Sequence, residues 1–249
     1  MIDLSAPQIL IVAATFLLAG LVKGVTGMGL PTVAMALLAT VMPPVAAAAL
    51  LIVPSFVTNV WQLAAGPSFA ALARRLWPMM AGIVLGTVAG SWLLTHGSGG
   101  WTSVGLGLAL VVYAASSLAA WQLSVPARLE PRLGPLVGLT TGAVTGGTGV
   151  FVIPAVPYLQ ALGLDKEDLV QALGLSFTVS TVALAIGLAG GAAFAAGNLA
   201  ASLLAVAPAL AGMGLGQWVR RRVSASTFRR WFLIVLLLLG LQLALRPML

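Results

Sequence analysis

Long apolar runs recur along this chain, Val104–Leu123 and Trp231–Leu245 among them. A bilayer core takes about 20 apolar residues per helix. Lipid offers the backbone no hydrogen-bond partner, so only helices and closed barrels cross it. Runs of this length are read as helical spans. The chain is therefore read as an all-α polytopic membrane protein. Its composition agrees: of 249 residues, 60% are hydrophobic and 7% charged, too little charge for a water-facing surface.

The formal charge of +7 is not a nucleic-acid signature. Lysines and arginines fall in a few short loops, where they set membrane orientation. With no cysteine in the chain, disulfides, thiolate metal sites and cysteine nucleophiles are excluded. The opening MIDLSAPQIL has no basic n-region and is taken as part of the mature chain.

The chain repeats itself. Gly20-Leu-Val-Lys-Gly24-Val-Thr26-Gly27-Met-Gly29 resembles the stretch Gly138 to Gly149, with one or two residues inserted, and each is followed by a proline, Pro31 and Pro154. In this register Thr141 stands where the first copy has Lys23. Ser55-Phe56 and Asn59 match Ser176-Phe177 and Ser180, Pro78 to Gly86 matches Pro208 to Gly216, and Trp101 matches Trp231. Such repeats mark many transporter folds.

Charge gives the repeats a direction. Arg74 and Arg75 precede the Pro-x-x-Ala-Gly helix of the first repeat, whereas Arg220, Arg221, Arg222, Arg229 and Arg230 follow the equivalent helix of the second. Positive residues stay in the cytoplasm, so the equivalent helices run oppositely and the repeats are inverted. Each is expected to hold a re-entrant helical hairpin plus three transmembrane helices. Repeat 1 covers 1–122 with its hairpin at 6–42, a cytoplasmic linker covers 123–133, and repeat 2 covers 134–249 with its hairpin at 134–163. The N-terminus, carrying Asp3, lies outside; loops 66–75, 123–133, 164–168 and 219–230 lie in the cytoplasm. The spans are expected near 76–94, 101–122, 169–189 and 197–218. Arms of about 10 and 14 residues in the second hairpin are too short to cross, so the tips, Thr26–Gly29 and Thr145–Gly149, meet near mid-depth. Arg246 is the one arginine this path leaves outside. A competing path has eight full spans with broken first and fifth helices, but it puts arginines 220–230 opposite Arg74 and Arg75.

Irregular backbone at membrane depth is tolerated only where protein or water surrounds it. Free amides and the positive end of a helix dipole attract anions. The expected substrate-binding residues are therefore Thr26, Gly27 and Gly29 at one tip and Thr145, Gly146, Gly147, Thr148 and Gly149 at the other. Lys23 joins them as the only charge inside an apolar stretch. A buried lysine needs a partner, and the spans contain no carboxylate, so an anionic substrate is its natural counter-ion; the alternative is a lysine that snorkels to the interface. Ser55 and Asn59, with Thr58 beside them, and Ser176 and Ser180, with Thr178, are expected to face the same region and offer hydroxyl and amide groups to oxyanions; the alternative is helix-to-helix bonding. Gly82, Gly86, Gly90, Gly212 and Gly216 read as small-residue packing, His96 as an outer-loop histidine, and Trp61 and Trp101 as interfacial anchors. The acidic loop Asp165–Asp168 is too short and irregular to hold calcium.

The motif Gly20-x-x-x-Gly24-x-Thr26-Gly27-x-Gly29-x-Pro31, its copy at 138–154 and the Ser55–Asn59 stretch resemble the TauE/SafE family of sulfite exporters over essentially the whole chain. The resemblance implies a prokaryotic-type inner (plasma) membrane and transport of sulfite, organosulfonates or other small anions, with the glycine tips and nearby hydroxyls lining the site. The expected function is a secondary transporter, in the export direction, working by alternating access; an anion channel of the same fold is the alternative. No Asp, Glu or His lies in an expected span, so the usual proton relay is missing. An inside-negative potential by itself drives anions out, hence an electrogenic uniport, or a proton carried on the substrate. An enzyme is not expected, nor a cofactor or metal. The expected partners are a small anionic substrate and the lipid bilayer, not nucleic acid, with the chain a monomer or homodimer.

Overall fold

The computed structural model describes residues 6–97, 99–119, 124–189, 196–222 and 224–246. Asp3, the end of the expected span 101–122 and the start of the linker lie outside these. The described residues form helices and no strand: α1 Ala6–Thr26, α2 Leu30–Leu38, α3 Pro44–Ala64, α4 Phe69–His96, α5 Gly99–Leu118, α6 Glu130–Thr148, α7 Ala155–Ala161, α8 Lys166–Leu188, α9 Ala196–Leu204, α10 Val206–Arg220 and α11 Ala225–Leu245. Seven are long and apolar enough to cross a membrane: α1, α3, α4, α5, α8, α9 with α10, and α11.

Local chemistry explains the boundaries. Asp165 caps α8 by accepting from Asp168 N–H at 2.8 Å, so the acidic loop is a helix start. A 3-10 turn at Ala127–Leu129 leads into α6, with proline in its first turn, where a missing N–H costs nothing. Pro208 has no N–H for the carbonyl of Leu204, four residues back, and α9 gives way to α10 there. His96 ends α4, stacked on Trp92 with 5.5 Å between ring centroids, rather than sitting in a loop.

Both hairpins turn back on themselves. After α1 the chain reverses at 27–29: Gly29 lies against Val22, and α2 runs along α11 from Phe232 toward Arg246, whose Nη1 donates to Thr40 O at 3.3 Å. Arg246, the arginine that the expected path leaves outside, thus bonds the turn that follows α2. In the second hairpin one side chain touches both ends: Arg75 bonds Glu130 at the start of α6 at 2.6 and 2.9 Å, and Leu162 O after α7 at 3.3 Å.

The arms differ from expectation. α6 has 19 residues and α7 has 7, rather than about 10 and 14, and α1 is itself long enough to span. Thr145, Gly146, Gly147 and Thr148 continue α6 because that helix is wedged against α4. A Cβ on Gly142 or Gly146 would collide with the carbonyls of Ile83 and Thr87, and this packing outweighs the low helix propensity of glycine. Nor do the tips meet end-on. Met28 lies beside Tyr113 of α5, and Thr148 beside Gly105, eight residues along the same helix. The two tips thus lie against different stretches of α5.

Packing is exchanged between the halves. α1 runs parallel to α10, with Leu17 and Leu21 against Gly212 and Gly24 against Gly216. α6 runs parallel to α4, with Gly138 against Met79, Gly142 against Ile83 and Gly146 against Thr87. α3 and α8 are antiparallel, since Asn59 bonds Thr181 while Gln62 bonds Val170 O. α5 and α11 are antiparallel as well, with Gly107 against Ala244 and Val111 against Gly240. The glycines read as packing residues do this work: a Cβ on Gly86 or Gly216 would overlap the backbone oxygen of Leu139 or Leu21.

Candidate functional site

The two breaks are built alike. Thr26 ends α1, Gly27 turns left-handed at φ 79° and its N–H bonds Lys23 O at 2.7 Å. The Thr26 hydroxyl donates to Val22 O at 2.9 Å and accepts from Met28 N–H at 3.3 Å. In the second half Thr148 ends α6, Gly149 turns at φ 72° and its N–H bonds Thr145 O at 2.7 Å. The Thr148 hydroxyl donates to Val144 O at 2.6 Å and accepts from Val150 N–H at 3.2 Å. Only glycine takes this backbone without strain.

That shared wiring corrects the repeat register. Thr26 and Gly27 match Thr148 and Gly149, both 122 positions apart (148 − 26 and 149 − 27). At this offset the segment Gly20-Leu-Val-Lys-Gly24-Val-Thr26-Gly27-Met28 aligns without a gap to Gly142-Ala-Val-Thr-Gly146-Gly-Thr148-Gly149-Val150. Lys23 therefore corresponds to Thr145, not Thr141. Matching Gly20 to Gly138 misled because Gly138 and Gly142 are one helical turn apart on the same packed face.

Lys23 is buried, 3% exposed. It does not snorkel. Its Nζ donates to Thr58 Oγ1 at 3.2 Å and to Asn59 Oδ1 on α3. Asn59 Nδ2 donates in turn to Thr181 Oγ1 on α8 at 3.2 Å, and Thr181 donates to Phe177 O at 2.7 Å. A relay of neutral acceptors thus runs from the first hairpin through α3 to α8. The one salt bridge among the described residues is Arg75–Glu130, so this ammonium faces no carboxylate.

Of the expected site residues, Lys23 and Asn59 are brought into contact. Ser55 lies one turn before Asn59 on α3, and Ser180 is next to Thr181 on α8. Ser55, Ser176 and Ser180 are fully buried, and their hydroxyls have no partner. The same holds for Thr141 and for Thr32, in the first turn of α2. Thr26, Gly27 and Gly29 form the first break. At the second, only Gly149 leaves the helix; Thr145 bonds Val150 O at 3.2 Å, Gly146 is packed on α4, and a Cβ on Gly147 would meet only Leu93. After Gly29 the chain enters α2 with Pro31 in its first turn, and Val33 N–H bonds Gly29 O at 2.9 Å.

Thr58, expected beside Ser55 and Asn59, is a direct partner of Lys23, whereas sequence reading does not single out Thr181. Aligning Ser55-Phe56 with Ser176-Phe177 pairs Asn59 with Ser180. The offset of the breaks pairs it with Thr181, and that is the residue it bonds.

No metal-binding cluster of His, Cys, Asp or Glu occurs among the described residues. A buried lysine with only neutral partners, and hydroxyls on α3 and α8 that are buried without a partner, have the chemistry to suit a negatively charged ligand.

Comparison with known families returns a match to Sulfite exporter TauE/SafE over residues 12–243. Comparison with curated proteins and with solved structures returns none.

Proposed function

This chain belongs to the TauE/SafE family of sulfite exporters, membrane transporters of sulfur-containing anions, and from that premise we propose how it works. A small sulfur oxyanion, of the sulfite or organosulfonate class, binds next to Lys23 and completes the coordination that Thr58 and Asn59 begin. The observation that carries this reading is the buried Lys23 ammonium with no acidic partner. A lone buried charge is costly, and an anionic ligand offsets that cost. The unpartnered Ser55, Ser176 and Ser180 hydroxyls support donors to the oxyanion's remaining oxygens, and the breaks at Gly27–Gly29 and Gly149 form the irregular backbone around it.

The halves act as inverted repeats, and alternating access is their relative rocking. The antiparallel courses of α3 and α8 and of α5 and α11, and the 122-residue offset of the breaks, support this. In the inner (plasma) membrane the N-terminus lies outside and arginines 220–230 inside. Flux is electrogenic, driven outward by the inside-negative potential, worth about 2.3 kcal/mol per charge per 100 mV.

The test is electrical. The protein is reconstituted on a solid-supported membrane and exposed in turn to sulfite, thiosulfate, taurine, sulfoacetate and chloride, wild type beside Lys23→Ala. A transient current for a sulfur oxyanion, lost in the variant, is the expected result. A current that survives in Lys23→Ala removes the lysine from the site. Ohmic single-channel currents replace the carrier with a channel.

A further inference from the structure

An apolar groove of about 290 Å³ opens between α1, α2 and α11. Leu18 and Val22 line it from α1, Val33 from α2, and Phe228, Trp231 and Val235 from α11. It extends along α11 as far as Leu239, which at 1.5 Å per residue from Phe228 is about 17 Å. Its outer rim is open, with Leu18, Trp231 and Val235 all more than half exposed.

The groove's Phe228 end is strongly basic. Arg229 and Arg230 follow Phe228 directly, and Arg220, Arg221 and Arg222 close the preceding helix. Arg220, Arg221, Arg222 and Arg230 are exposed. Arg222 lies over the Trp218 ring, 4.0 Å from its centroid. No acidic residue follows Asp168 in the chain, so nothing within this C-terminal segment neutralises the cluster.

We infer that this groove and the Arg220–Arg230 cluster form one binding site for an anionic phospholipid, its acyl chain in the groove and its headgroup on the arginines. A chain leaving the bilayer for this groove gains little, because lipid tails are as apolar as leucine. Charge therefore decides which lipid stays, and guanidinium groups pair with phosphate in a fork geometry. Five arginines without a counter-charge select a headgroup with net negative charge over a zwitterionic one.

The acyl chain would rest on the back of the first break. Val22 and Phe232 line the groove and also flank Gly29: a Cβ there would lie 3.4 Å from Val22 Cγ1 and 3.7 Å from Phe232 Cζ. The Val22 carbonyl accepts the Thr26 hydroxyl bond that shapes the break. Occupancy of the groove thus bears on the segment that carries Lys23. The second break has no such basic neighbour: in the 25 residues before Trp101, the counterpart of Trp231, there is no lysine or arginine.

Trp231 is a built-in probe. Purified protein is titrated with phosphatidylglycerol brominated on its acyl chains, then with the brominated phosphatidylcholine, and the fluorescence lost in wild type but not in Trp231→Phe is followed. The expected result is half-maximal quenching of Trp231 at roughly tenfold less phosphatidylglycerol than phosphatidylcholine. Arg229→Gln/Arg230→Gln should erase most of that preference, and Arg229→Lys/Arg230→Lys should keep most of it. Equal quenching by both lipids in the wild type overturns the site, and that comparison needs no variant to fold. A preference untouched in the glutamine variant overturns the headgroup assignment. Transport plays no part in the readout, so failure here is distinct from failure of the carrier proposal.

Discussion

The two helix breaks share a backbone and differ in charge. Each has a threonine that bonds back into its own helix and forward across the turn, then a left-handed glycine. One turn earlier stands Lys23 in the first break and Thr145 in the second. Lys23 reaches across to α3, whereas Thr145 bonds its own loop at Val150 O. The flanking glycines press both hairpins against a helix of the other half. Backbone architecture is thus duplicated, while the electrostatics is confined to one copy. The turn recurs in both breaks, whereas the buried lysine occurs in one, and that difference is what the binding proposal rests on.

The sharpest way to break the comparison is to attack what the copies share. Gly20→Val and Gly142→Val each place a side chain into a carbonyl of the partner helix, at Ala209 and Ile83. Both should fail to give folded protein, because overpacking costs about 1–3 kcal/mol even where neighbours yield and backbone cannot. Yield of monodisperse protein in detergent reads this out. Tolerance at one site alone would mean that the packing is not equivalent.

Next comes what the copies do not share. Lys23→Met keeps the volume and removes the charge. Its substrate-evoked current should fall about 10- to 100-fold, matching loss of a charged hydrogen bond worth roughly 1.5–3 kcal/mol. Its thermal stability should hold or rise, because an uncompensated charge is gone. A drop in stability with full current would make Lys23 a structural residue. Thr145→Val should leave the current within about fivefold, since only a neutral bond worth about 1 kcal/mol is lost.

Asn59→Leu tests the link between hairpin and α8. It strips Lys23 of an acceptor and Thr181 of a donor, and should destabilise the protein by about 1–3 kcal/mol. Thr181→Val should cost less, because Asn59 keeps its bond to Lys23. Paired melting curves decide the order, and a reversed order would take Asn59 out of the centre of the relay. The smallest effects are expected at Thr26→Val and Thr148→Val, about 1 kcal/mol each and equal within error. Unequal melting shifts would show that the matched wiring hides different loads.

Much of this was legible in the chain itself. Span-length apolar runs follow from the bilayer's dimensions, and the break positions from clustered Gly and Thr. Lys23 stands out as the one charge in the middle of an apolar stretch. The helical state of Thr145–Thr148 was not legible. Propensity says glycine ends a helix, but close contact with α4 holds Gly146 in one. The register was hidden for the same reason: Gly138, Gly142 and Gly146 repeat every turn, so glycine matching alone slips by four.

From sequence alone came what depends on solvent and local backbone: a helical membrane protein, two similar glycine turns and one lysine in an apolar stretch. Tertiary structure decided what depends on partners distant in the chain. It set α1 against α10 and α6 against α4, brought Asn59 to Lys23, and brought Thr181 to Asn59. Hydropathy and propensity act over a few neighbouring residues, whereas a hydrogen bond between residues 36 and 122 positions apart exists only once the helices have packed.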